Sequence, residues 1–135
     1  MNDWNTQIIE EFRANGGKVA EFGDSPLVIL HTIGAKSGRT YEIPLVTLLD
    51  GDRMVIFASR AGAPKHPGWY YNLKANPRIE IEYGVERFEV DVTEIHGEKR
   101  ERCLAAQIAL VPQFGEYVSK AAPRMIPALA MTRVR

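Results

Sequence analysis

Two short turns inside runs of β-type residues decide what kind of fold this chain can adopt. Asp50-Gly51-Asp52 separates a run from Tyr41 to Leu49 from a second run from Arg53 to Ser59. Gly84 separates Ile79, Ile81 and Tyr83, which alternate with Glu80 and Glu82, from Phe88, Val90 and Val92, which alternate with Glu89, Asp91 and Thr93. Strands joined by so few residues pair antiparallel, because a parallel return needs a crossover of roughly a dozen residues or more. The alternation predicts one buried and one solvated face. Leu27 to Ile33, after Pro26, adds an apolar strand, and Ile126 to Thr132 a short last one.

Helical signals lie around these strands. Trp4, Ile8, Ile9 and Phe12 recur at helical spacing over 3–14, and Asn15-Gly16-Gly17 ends the segment. Its polar face carries little positive charge, so it is expected to cover a sheet rather than lie on a membrane. Residues 60–67 are rich in turn formers. A short helix is expected from Trp69 to Lys74, stopped by Asn76-Pro77. Another runs from Glu98 to Leu110, with Leu104, Ile108 and Val111 on one face, a Glu98–Arg102 pair, and Pro112 interrupting it. This order predicts an α+β fold: an antiparallel meander of about six strands curling into a small barrel with flanking helices. One domain is expected over 1–135, with residues 1–15 as its N-terminal amphipathic helix.

Composition narrows the function. The 17 Lys and Arg balance 17 Asp and Glu, which argues against a whole-surface polyanion binder. Residues 36–78 nevertheless hold seven bases and three acids. That excess suits a small anionic ligand, and equally a set of solvated loops. The single cysteine, Cys103, permits no internal disulfide and is expected as a buried helical thiol. His31, His66 and His96 have no metal-ligand spacing, so no metal is expected. His31 is expected as a satisfied core or lining residue, and the carboxylates over 79–91 as a solvated face. No apolar run approaches the roughly 20 residues that span a bilayer, and the first residues lack a signal-peptide core, so a cytoplasmic protein is expected.

Three clusters carry candidate chemistry. Gly34-Ala35-Lys36-Ser37-Gly38-Arg39-Thr40 lacks the Gly-Lys-Ser/Thr order and following helix of a phosphate-binding P-loop. Its glycines and donors suit a phosphate or carboxylate, or simply a solvated turn. Ala58-Ser59-Arg60-Ala61-Gly62-Ala63-Pro64 offers small residues over which a flat ring can lie, or an ordinary loop. His66-Pro67-Gly68-Trp69-Tyr70-Tyr71-Asn72-Leu73 places aromatics on a short helix, as core or as the wall of a planar cofactor.

Taken in order, these residues resemble a known family. Gly34-x-Lys36-Ser37-Gly38-Arg39, then Pro44-Leu45, then the stretch from Ala58 to Pro77 that contains Gly62, Lys65, Pro67, Trp69, Tyr70 and Asn72, look like the deazaflavin-dependent nitroreductase and quinone reductase family. The resemblance implies a split β-barrel of the FMN-binding type and coenzyme F420 as cofactor. It implies that Lys36, Ser37, Gly38, Arg39 and Thr40 bind the phosphate and glutamate tail. Pro44, Ala58, Ser59, Arg60, Ala61 and Gly62 would line the ring, with Trp69 and Asn72 closing the pocket. Nitro-reducing members carry aromatic hydroxyls at positions that match Val111, Phe114 and Tyr117. Only Tyr117 keeps one, and the resemblance gives it the role of protonating or orienting the reduced product. A quinone, a nitro compound or another electron-poor small molecule is the implied acceptor. FMN in place of F420, or non-catalytic binding of a deazaflavin or fatty acid, stays open. So do a homodimer and peripheral contact of the N-terminal helix with the inner face of a membrane.

Overall fold

The strand predicted over 41–49 is two strands, and the break between them shapes the molecule. β1 (Leu27–Ile33) pairs antiparallel with β2 (Thr40–Val46), with Leu27 opposite Val46. At Thr47 the chain leaves that partner, and β3 (Leu48–Asp50) pairs with β4 (Arg53–Phe57). Buried Thr47 staples the two pairings together. Its N–H donates to Pro26 O at 2.9 Å, and its hydroxyl donates to Val55 O at 3.0 Å. Alternation alone cannot reveal the break, because the same period serves either partner.

In the computed structural model, which describes residues 3–134, all the strands join one antiparallel sheet ordered β2-β1-β5-β6-β7-β4-β3. Here β5 is Arg78–Tyr83, β6 is Glu86–Ile95 and β7 is Ala128–Arg133. β2 and β3 follow each other in the chain yet lie at opposite ends of that order, so the sheet curls into a split barrel. The count is seven strands rather than about six. The last strand also does not extend a meander. It inserts between β6 and β4, because Ala128, Leu129, Ala130 and Met131 are buried on both faces, as a central strand requires.

On one face of the sheet Val28, Leu30, Ile56, Ile81, Leu129 and Met131 form a core closed by Leu73 of α2 (Gly68–Ala75). Elsewhere Ile8, Ile9 and Phe12 of α1 (Asp3–Ala14) cover Leu27 and Ile29. Phe12 keeps 2% exposure, and burial of a side chain that size contributes about 2–3 kcal/mol. Leu104 of α3 (Gly97–Leu110) and Phe114 of α4 (Gln113–Ala121) pack with Val55, Phe57 and Ala130. α4 is an addition to the predicted elements. Pro112, expected as an interruption, is its N-cap, a place where a missing N–H costs little. No described helix is long and apolar enough to cross a membrane. Residues 1, 2 and 135, included in the expected domain and helix, lie outside the described residues.

Candidate functional site

The loop after β1 is shaped by its own backbone. Gly34 N–H donates to Arg39 O at 2.7 Å, Gly38 N–H to Gly34 O at 3.0 Å, and Arg39 N–H to Ser37 Oγ at 3.2 Å. A Cβ on Gly34 would lie 2.5 Å from Ser37 Oγ, so any larger residue there would push the Ser37 hydroxyl from its place beside Arg39 N–H. α2 ties the loop down from outside. Asn72 Oδ1 accepts from Ala35 N–H at 3.0 Å, and Asn76 Nδ2 donates to Ile33 O at 3.3 Å. Beside the loop lies a cavity of about 730 Å³ lined by Thr32, Lys36, Ser37, Trp69, Tyr71 and Asn72 among others. Thr32 is fully buried, and its Oγ1 has no hydrogen-bond partner.

The turn after β4 is built differently. Arg60 and Ala61 adopt φ of 48° and 52°, followed by Gly62 at 79°. Two consecutive non-glycine residues in the left-handed region hold only when their surroundings fix them. Arg124, beyond α4, supplies that fixing. It donates to Ala63 O at 2.9 Å, Ala58 O at 3.0 Å and Ser59 O at 2.7 Å, and meets His66 Nδ1 at 2.8 Å. Burial, and then the Arg124 charge, pull the His66 pKa below its ordinary value, which suits a neutral ring accepting from the guanidinium. Gly62 lies against α4 so closely that a Cβ would come 2.9 Å from Tyr117 O and from Lys120 Cβ.

A second cavity, of about 720 Å³, opens beside this turn. Pro44, Phe57, Ser59, Arg60 and Ala61 line it, with Gln107, Val111, Phe114 and Tyr117 from the α3–α4 region and Trp4 and Phe22 from the N-terminal segment. Trp69 lines both cavities, so the two clusters read from the sequence meet across one indole. Of the expected site residues, Lys36, Ser37, Pro44, Ser59, Arg60, Ala61, Trp69, Asn72 and Tyr117 line one or both. Gly38, Arg39 and Thr40 lie on the exposed side of their loop and line neither. Ala58 and Gly62 are buried behind the turn and line neither. Tyr70 turns away from both. Its hydroxyl donates to Glu94 Oε1 at 2.6 Å, and burial together with that bond pushes its pKa up to about 12.

A polar group of a different kind lies beneath α1. His31, 7% exposed, is satisfied by Glu82 Oε2 at 2.7 Å from its Nε2. Glu82 thereby departs from the solvated face expected of its strand, which Glu80 and Asp91 do keep, in exposed pairs with Arg87 and Arg78. His31, Glu42 and Glu82 bring potential ligand atoms within 4.8 Å of one another. Arg13 occupies the space between the carboxylates, 2.7 Å from each, and its bonds to Glu82 hold that carboxyl below its usual range. Cys103 is buried, as expected of a helical thiol.

The model of the F420H(2)-dependent quinone reductase family matches residues 4–132. The chain belongs to that family. The F420H(2)-dependent quinone reductase Rv1261c of Mycobacterium tuberculosis is 34% identical to it over 126 residues, covering 90% of this chain and 85% of the relative. A solved F420-H2 dependent reductase, FDR-A, is 34% identical with a TM-score of 0.71, covering 78% of this chain and 93% of its own. A structure described as a domain-swapped dimer is 32% identical with a TM-score of 0.73, covering 96% and 97%. Coenzyme F420, rather than FMN, is the family's cofactor, and the chain is an F420-dependent reductase. The residues present fit such a molecule. A cationic loop and the orphaned Thr32 hydroxyl border one cavity, and small residues on a fixed turn border the next.

Proposed function

We propose that this reductase passes a hydride to a quinone held in the 720 Å³ cavity, with the cofactor reaching there from the 730 Å³ cavity past Trp69. The observation that carries this reading is the shared indole. It joins a chamber bordered by Lys36, Ser37 and the Thr32 hydroxyl to one walled by Phe57, Phe114 and Tyr117, which matches a molecule with an anionic tail and a flat ring. Bound F420H2 supplies the hydride from C5 of its ring. Lys36 and Ser37 would hold the tail, and Gly38, Arg39 and Thr40 would add to the field around it. Pro44, Ser59, Arg60 and Ala61 would lie along the ring, with Ala58 and Gly62 setting the turn from behind. Asn72 acts through its bond to Ala35, which keeps the loop in place. Phe57, Val111 and Phe114 exclude water from the acceptor.

A quinone becomes a quinol by gaining one hydride and one proton. Tyr117, in the wall of the acceptor cavity, would donate or direct that proton. The lack of hydroxyls at Val111 and Phe114 favours quinones over nitro compounds as acceptors. The test is a parallel titration of the purified protein with F420, FMN and a fatty acid, followed by mixing with F420H2 and menadione. Tightest binding of F420 and oxidation of F420H2 by menadione support the reading. Binding without oxidation supports a non-catalytic carrier, and tighter binding of FMN supports a flavin enzyme. Tyr117→Phe is expected to lower quinone turnover roughly a hundredfold, the low end for general acid catalysis; unchanged turnover overturns the proton role. We also infer a homodimer, by analogy with the domain-swapped relative; a solution mass equal to the 15.2 kDa chain would contradict it.

A further inference from the structure

The buried stripe of α3 holds Arg100, Cys103, Leu104 and Gln107, the spacing of a helix face turned to a core. Two of these four are polar, and they are treated differently. Arg100 is satisfied: its Nε and one terminal nitrogen donate to Ile126 O at 3.2 and 2.8 Å, and the other reaches Glu101 at 2.8 Å. Gln107 is 5% exposed, yet its carboxamide hydrogen-bonds to no described residue. It lines the 720 Å³ cavity and also a smaller one of about 320 Å³, which shares Ser25, Val46 and Val111 with the first. A carboxamide with no partner in the protein, on the wall of two cavities, is available to whatever enters that space.

Resting on the function proposed above, we propose that Gln107 is a specificity-determining residue whose NH2 group donates to a carbonyl oxygen of the acceptor. The chemistry suits an oxygen on which negative charge grows as the hydride arrives, and the amide oxygen can accept from the quinol hydroxyl that results. Apolar walls alone discriminate weakly between a quinone and a hydrocarbon of the same outline. A buried donor left unpaired by the hydrocarbon discriminates strongly.

The experiment compares calorimetric affinities for menadione and for 2-methylnaphthalene, which keeps its rings and methyl group and lacks both oxygens. The protein is saturated with oxidised F420, so no turnover intervenes. The affinity ratio is expected to fall about tenfold in Gln107→Leu and at least as far in Gln107→Glu, which keeps the shape and removes the donor. Gln107→Leu is also expected to raise the Tm, since it replaces an unpartnered buried amide with an apolar side chain. A merely structural glutamine would lower Tm and leave the ratio where it was. An unchanged ratio in both variants, while the wild type oxidises F420H2 with menadione, overturns the role of Gln107 and leaves the function standing. A wild type that neither binds nor reduces menadione overturns both.

Discussion

The loop at 34–39 and the turn at 58–66 border two cavities that meet at Trp69, but they are held by opposite means. The first is tied mainly by its own backbone bonds and by Asn72 on the adjoining helix, with Gly34 leaving room for the Ser37 hydroxyl. The second is a strained turn that does not hold itself. Its shape depends on Arg124, some sixty residues away, which fills the carbonyls of Ala58, Ser59 and Ala63. A loop that stores its shape locally can be read from its residues. A turn that borrows its shape cannot, and its support is the more damaging thing to remove.

The largest expected effect therefore falls on Arg124. Arg124→Met strips three carbonyls of their charged donor and is expected to cost about 3 kcal/mol of stability, measured by urea unfolding. It should also weaken F420 binding although it lines neither cavity. A variant with native stability and affinity would show that the turn holds itself after all. Lys36→Ala comes next. Its loop keeps its shape, so stability should change by under about 0.5 kcal/mol while F420 affinity falls roughly tenfold. Added salt should weaken the wild type more than the variant, because an exposed ion pair is screened. Equal salt dependence would argue against an anionic tail at Lys36.

The smallest effect is a pH dependence confined to the turn. The folded state lowers the pKa of His66 below its ordinary 6.5, so the unfolded chain binds the proton more readily. The stability this contributes is fully present above about pH 6.5 and is lost as pH falls from there through the folded value. His66→Gln should flatten that part of the stability profile. An identical profile would remove His66 from the support of the turn. Tyr71, Glu94 and Arg124 also face or charge this histidine, so the comparison is made in the variant and not by pH alone.

The same contrast explains how much was legible. Leu27 to Ile33, the hairpin around Gly84, α1 and α2 are set by local period and turn chemistry, and they appear where the sequence predicts them. The break at Thr47 does not show, because it records a change of partner from β1 to β4. β7 was legible as a strand but not as a central one, since its neighbours come from far along the chain. Within the site, Lys36, Ser37, Ser59, Arg60 and Trp69 could be named because their clusters are short and unusual. The roles of Thr32, Gln107 and Arg124 could not, because what marks them is a missing or distant partner. For Gln107 a signal was present: a carboxamide on the stripe of Cys103 and Leu104, where an apolar residue would be expected.

The cofactor's anionic tail and the acceptor would occupy different chambers on either side of Trp69, with the ring beside the acceptor in the second. Titration of oxidised F420 into the protein with and without saturating menadione tests this arrangement most directly. F420 dissociation constants within about twofold of each other are expected, because both molecules fit at once. A dissociation constant that climbs in proportion to menadione concentration would mean the two compete for one space, and would contradict it.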